Sequence, residues 1–221
     1  MPRDLWDTTL EVKTNIPLIL ARELRSKKPG VVGISTVTDP YQPLEQKYRI
    51  TRSCLELLLQ HDFPAHIQTK SALVTRDIDL ITRFSDSQVM VSIGTIHDHE
   101  RTLLEPYTSS VQERLDALRK LSDAGIRTAI FFGPVYPTIT ADDIPRILEV
   151  FSKSGVSEIW IDRLNLKPGI WETMQRSLQS NQKLLRIFSE RLGNPAEYYT
   201  TIREQIRKKA AEHHLKIIDA F

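Results

Sequence analysis

Three groups of side chains in this 221-residue sequence have types and spacings suited to chemistry. The first is Ser35, Thr36, Thr38 and Asp39, which follow the apolar run Val31 to Ile34 and precede an amphipathic pattern that begins near Glu45. The second is Lys70 with Ser71, directly after the short stretch Ala65 to Thr69. The third is Ser92, a hydroxyl set inside Val89-Met-Val-Ser-Ile93, with Thr95 beyond it. Loops after the carboxyl ends of parallel strands are where α/β proteins hold ligands, so these are candidate binding residues. A lysine there offers a cation to an anionic group or, desolvated beside Asp39, a Schiff-base amine for a lyase. Asp39-Pro40 and Gln42-Pro43 serve equally well as turn punctuation, and the Ser92 hydroxyl can bond to nearby backbone.

Other reactive types are placed less suggestively. His97 and His99 stand at i, i+2 in a polar stretch, but spacing supplies no further metal ligand. Cys54, the single cysteine, falls beside the apolar face of a helix pattern and is expected to pack as a small hydrophobe. Trp160 and Trp171 are expected in the core, because no basic residues interleave with them as in a base-stacking surface. Arg203, Arg207, Lys208 and Lys209 read as the solvated basic end of a helix.

These candidates need a scaffold, and the hydrophobic pattern provides one. Val31 to Ile34, Ala65 to Thr69, Gln88 to Thr95, Arg127 to Phe132 and Val156 to Asp162 read as five strands. Helical patterns separate them: Ile16 to Arg25 with Asn15 as N-cap, Leu44 to Leu58, a helix capped by Thr75, one opened by the Ser110/Glu113 capping box, and one from Ile144 to Phe151. Thr9 to Lys13 alternates as an edge strand would, and a long polar loop is expected through Ser109. Two helical stretches, Ile170 to Arg191 and Ala196 to His213, and the apolar run Leu215 to Ile218 complete the chain. Strands alternating with helices imply a parallel sheet with right-handed crossovers. A barrel or partial barrel is favoured over a doubly wound sheet, since no G-x-G-x-x-G occurs. The polar residues after the strands, Tyr136, Asp162, Arg163 and Asn165 among them, then gather on one rim.

Composition bounds the class. With 40% hydrophobic and 26% charged residues, the chain suits one α/β domain, with a core over about residues 6–162 and a helical extension over about 170–221. A net charge of +2, from 30 basic and 28 acidic residues, supplies no electrostatic case for nucleic acid. No apolar run approaches the roughly 20 residues that cross a bilayer, and no signal-peptide pattern opens the chain, so no membrane partner and a cytoplasmic location are expected.

Taken in order, Thr-Asp-Pro-Tyr-Gln-Pro-x-Glu (Thr38 to Glu45), Thr51-Arg52, Thr69-Lys70-Ser71, Arg76-Asp77-x-Asp79-Leu80, Val91-Ser92-Ile93, Glu105-Pro106, Arg114-Leu115, Ala124-Gly125 and Pro134-Val-Tyr-Pro137 carry a resemblance. They resemble the radical SAM proteins related to spore photoproduct lyase, the DNA repair photolyase-like branch, from about Trp6 to Asp162. The resemblance implies a partial (β/α)6 TIM-like barrel and an S-adenosylmethionine cofactor, held on a 4Fe-4S cluster by a C-x3-C-x2-C loop and cleaved to a 5′-deoxyadenosyl radical in lyase-type or repair chemistry. It further implies a reductant for the cluster and a nucleic-acid substrate. By the same resemblance Lys70 meets the cofactor's carboxylate, Ser92 its polar groups, and Thr36 and Asp39 line the cradle.

The chain departs from that family at one point. A cluster needs several thiolates and one cysteine cannot supply them, so the cluster ligands are absent from this chain and no metal site is assigned within it. The expectation is a radical SAM barrel with its first strand and cysteine loop missing, truncated and inactive as given. A non-catalytic S-adenosylmethionine-binding module and a cluster-free Schiff-base lyase built on Lys70 are the alternatives. A missing first strand would leave Val31 to Ile34 as an open apolar edge and a route to self-association.

Overall fold

The computed structural model describes residues 11–34 and 38–220. Among these, six strands form one sheet in the order β1-β2-β3-β4-β5-β6, every neighbouring pair parallel. The strands are β1 (Val32–Ile34), β2 (Ala65–Thr69), β3 (Ser87–Ser92), β4 (Arg127–Phe132), β5 (Glu158–Ile161) and β6 (Lys216–Asp219). A sequential order that never reverses, joined by right-handed crossovers, places every connecting helix on one face. A doubly wound sheet would need a reversal point, so this order resolves the choice between the two architectures in favour of the partial barrel.

The helices are α1 (Ile16–Leu24), α2 (Glu45–Tyr48), α3 (Ile50–Gln60), α4 (Ile78–Ile81), α5 (Asp98–Leu104), α6 (Val111–Asp123), α7 (Ile144–Ser152), α8 (Ile170–Leu178), α9 (Gln182–Gly193) and α10 (Pro195–Ala210). Their start and stop signals are local. Ser110 accepts from the Glu113 amide while the Glu113 carboxylate accepts from the Ser110 amide, the capping box that opens α6. Gly125, at φ 80°, closes it in the left-handed region where a side chain would be strained. Between strands and helices, alternate strand residues such as Ala65, Ile67, Val89, Val91, Ile159 and Ile161 are buried with Leu55, Leu118, Leu148 and Phe151 from the helices. Phe132 and Phe151 meet edge to face at 5.3 Å across this layer.

Several boundaries differ from the sequence pattern. The apolar run Leu215 to Ile218 overlaps β6 (Lys216–Asp219), a sixth parallel strand registered on β5, with Trp160 opposite Ile218. Thr9 and Leu10 lie outside the described residues, and Glu11 to Lys13 form no strand. Asn15 makes no capping hydrogen bond, and Pro17 in the first turn sets the start of α1 instead. Thr75 is not a cap. It sits within a 3-10 segment, Ala72–Asp77, and Ser71 is the residue whose side chain caps that segment by accepting from the Leu73 amide. The polar loop after β3 contains α5, and the Ile170 to Arg191 stretch is broken at Asn181, whose side chain caps α9. The edge of β1 away from β2 has no strand partner among the described residues.

Candidate functional site

At the carboxyl ends of β2 and β3, Lys70 and Ser92 stand one position beyond the registered pair Thr69↔Val91. They are therefore neighbours on adjacent strands, at the same end of the sheet and on its concave side. What fixes them is an ion network that runs from the buried Arg114 out to the partly exposed Lys70. Glu105, just past α5, places Oε1 2.7 Å from Lys70 Nζ and Oε2 2.7 Å from Arg114 Nη2. Arg114, 1% exposed on α6, also donates to the Ser92 carbonyl at 2.8 Å and the Ser109 carbonyl at 2.9 Å. Burial alone would raise the Glu105 carboxyl, but the adjacent charges of Lys70 and Arg114 outweigh it and hold the group below the usual range.

Lys70 differs from Arg114 in access. Its side chain is 35% exposed, and an ammonium has three donors of which Glu105 takes one. It is thus a fixed cation with room for a second anion. The desolvated amine that a Schiff-base lysine needs is not present, because Lys70 is both ion-paired and partly exposed. Its acidic neighbour is Glu105 rather than Asp39.

Asp39 works on the chain itself. Its carboxylate accepts from the Tyr41 amide (2.8 Å), the Thr69 hydroxyl (2.7 Å) and the Lys70 amide (2.6 Å). It fastens the loop after β1 to the end of β2 and fixes the backbone from which Lys70 projects. Ser92 is buried, and its hydroxyl accepts from Gln68 Nε2 at 3.3 Å, which gives that interior polar group its partner. Thr36 and Ser35 lie outside the described residues. The structure thus brings Asp39, Lys70 and Ser92 to one rim.

Behind the rim lies a second network. Asp77, fully buried, accepts from Tyr41 Oη (3.0 Å), Arg52 (2.8 Å) and Arg76 (2.7 Å). Glu45 accepts from the Thr51 and Arg52 amides and from Arg76. Burial pushes Asp77 up, yet the Arg76 and Arg52 guanidiniums and the Tyr41 hydroxyl hold it below its ordinary value. The Thr38 to Glu45, Thr51-Arg52 and Arg76 to Leu80 motifs are therefore one structural lock that sets the loop after β1. Glu100 plays a similar part by accepting from the Thr95 and Thr138 hydroxyls at 2.8 Å each, which ties the loops after β3 and β4 together.

The remaining candidates separate. The His97 and His99 rings lie 5.9 Å apart, tilted at 46°, and no group of three potential metal ligands occurs among the described residues. Cys54 lies half-buried on α3, where burial and Glu45 push its thiol up to about 11, which suits a packed side chain. Trp160 is not a core residue. It lines a groove of about 420 Å³ on the concave face with Gln68, Met90 and Ile218. Glu105 and Arg114 carry a family signal in their motifs but no role that spacing reveals, because only the fold brings α5 and α6 against Lys70.

Comparison with known proteins agrees with this architecture. The family model described as the radical SAM superfamily matches residues 11–151. The chain belongs to the radical SAM superfamily. An uncharacterized protein of Methanocaldococcus jannaschii is 31% identical over 163 residues, covering 73% of this chain and 60% of that relative. The Radical SAM Nalpha-GlyT isomerase of Pseudomonas phage M6 is 26% identical over 199 residues, covering 87% of this chain and 41% of the phage protein. Another relative, from Acidianus two-tailed virus, is 28% identical and covered over 59% of its length, so the chain spans about three-fifths of the length of such relatives. Among solved structures, spore photoproduct lyase with bound AdoMet and dinucleoside spore photoproduct superposes with a TM-score of 0.67 at 12% identity, over 96% of this chain and 67% of that one. A second spore photoproduct lyase structure gives 0.70. The likeness shows a shared fold. No helix among the described residues is long and apolar enough to cross a membrane.

Proposed function

We propose that this chain is the S-adenosylmethionine-binding barrel of a radical SAM enzyme that acts on a nucleic-acid substrate. The observation that carries the reading is Lys70: a cation fixed by Glu105, open on its other side, at the ligand-bearing end of the sheet. In this reading its free donors hold the cofactor's carboxylate, Ser92 and Gln68 offer polar contacts beside it, and Asp39 holds Lys70 in place as a positioning residue. Bound S-adenosylmethionine supplies hydrogen-abstracting radical chemistry when a reduced 4Fe-4S cluster accompanies it.

The residues present do not fit that cluster. Cys54 is one thiol where several are needed, and it sits on a helix of the outer layer with its proton firmly held. In this reading the cluster thiolates are supplied from outside these 221 residues. Translating the bases upstream of Met1 tests this: three cysteines in C-x3-C-x2-C spacing support a complete enzyme, and their absence contradicts it. The single cysteine also favours a second reading, a binding module that holds S-adenosylmethionine without cleaving it. A nucleic-acid substrate is supported by the dinucleoside ligand of the structural neighbour. Isothermal calorimetry with S-adenosylmethionine tests the shared core of both readings.

A further inference from the structure

The concave face carries a second feature that the cofactor reading leaves unused. Register places Ser92, Phe131, Trp160 and Ile218 side by side on four neighbouring strands. In β5, Ile159 and Ile161 are buried toward the helices while Trp160 is half-buried on the groove side, and Asp162 follows two residues later on that same side. Phe131 and Asp162 converge on Gly133: a Cβ added there would lie 2.5 Å from the Phe131 ring and 2.7 Å from the Asp162 Cβ. Trp160 Nε1 is turned away from solvent and has no hydrogen-bond partner among the described residues, so what the indole offers the groove is its ring rather than its N–H. Asp162 uses one carboxylate oxygen on the Arg163 amide at 2.8 Å, and burial raises its carboxyl above the usual range. The groove is lined by Trp160, Gln68 and Met90, and Gln68 also donates to the Ser92 hydroxyl at 3.3 Å, so its occupant lies beside the proposed cofactor position and shares Gln68 with it.

Resting on the reading of the chain as a nucleic-acid-directed radical SAM barrel, we propose that Trp160 is the platform on which a nucleobase of the substrate stacks at the end of the groove nearest the carboxyl ends of the strands, with Asp162, just beyond the groove's lining, hydrogen-bonding the edge of that base. A groove of about 420 Å³ matches the size of small-molecule sites and accommodates a planar heterocycle. Every base presents a π face to an indole, and the amide of Gln68 across the groove supplies further polar contact. A carboxylate oxygen can accept from the N–H groups of a base edge.

The test uses the dinucleotide thymidylyl-thymidine and the 221-residue chain carrying Trp6→Phe and Trp171→Phe, which leaves Trp160 as the sole tryptophan of the three. Titration should quench its emission saturably, an abasic dinucleotide should not, and Asp162→Ala in the same background should weaken binding at least tenfold. Calorimetry on the otherwise unaltered chain gives an independent readout, in which Trp160→Leu should weaken dinucleotide binding by a similar factor with circular dichroism unchanged. No saturable quenching, equal quenching by the abasic analogue, or indifference to both substitutions overturns the proposal. S-adenosylmethionine binding is measured on the same preparation. If the cofactor binds and the dinucleotide does not, the platform is wrong and the cofactor reading stands; if the dinucleotide alone binds, the converse holds.

Discussion

Glu105 lies 2.7 Å from Lys70 Nζ through one oxygen and 2.7 Å from Arg114 through the other, so one mostly shielded carboxylate, 10% exposed, serves a half-open cation and a sealed one. The two partners have different consequences. Arg114 at 1% exposure has no water to replace its counter-charge, whereas Lys70 does. Glu105→Gln keeps the shape and removes the charge, and it should cost about 3 kcal/mol, as removal of one member of a buried pair commonly does. Urea unfolding of the variant checks this, and a loss under about 0.5 kcal/mol, the scale of a surface change, would show that Arg114 finds compensation elsewhere.

Acid should weaken the molecule through two carboxylates. Glu105 and Asp77 are both held below their ordinary values in the folded state. A depressed folded pKa contributes stability that is fully present above the unfolded value and is lost as pH falls through the folded one. With unfolded values of about 4.3 for Glu and 3.9 for Asp, stability should be level above about pH 5 and decline below about pH 4. Thermal melts across this window test it, and Asp77→Asn should flatten the acid decline while lowering the plateau by about 3 kcal/mol.

Asp39 acts as a clip, and a clip has a local signature. Charge-assisted bonds hold the Tyr41 and Lys70 amides. Asp39→Ala should speed hydrogen exchange at these two amides selectively, leaving those of β4 unchanged. Protection that survives the substitution would show that the loop is held by other means.

Gly94 is a close-approach position. A Cβ there would lie 2.6 Å from the Pro134 carbonyl oxygen and 2.6 Å from the Tyr136 ring, and the first of these is backbone. Gly94→Ala should therefore destabilise by about 1–3 kcal/mol through overpacking, as denaturant titration would report.

The fold is legible where it rests on local signals. The strands Ala65–Thr69 and Arg127–Phe132 and the Ser110/Glu113 capping box stand where the pattern puts them, since alternation and capping are read residue by residue. Strand β6 is obscured because a four-residue apolar run has no period that separates a strand from a helix end, and only its register against β5 decides. Within the site, Lys70 and Ser92 can be found because each follows a strand. Glu105 cannot, because it follows a helix in a stretch rich in His and Asp that reads as loop, and Arg114, on the helix the capping box announces, gains its role only from Glu105. Asp39 stands at the expected rim but acts differently there. Spacing shows that a carboxylate is near a ligand-bearing rim, but not that three donors of the chain itself already occupy it.

The proposed cofactor-binding role turns on Lys70 receiving the carboxylate of S-adenosylmethionine. Calorimetric titration of the cofactor into the chain and into Lys70→Ala measures this directly, and the partial exposure of Lys70 makes a folded variant expected. One-site binding should weaken at least tenfold, about 1.4 kcal/mol or more, in the variant. Equal affinity in the two proteins, or no binding to the unaltered chain, would contradict that role.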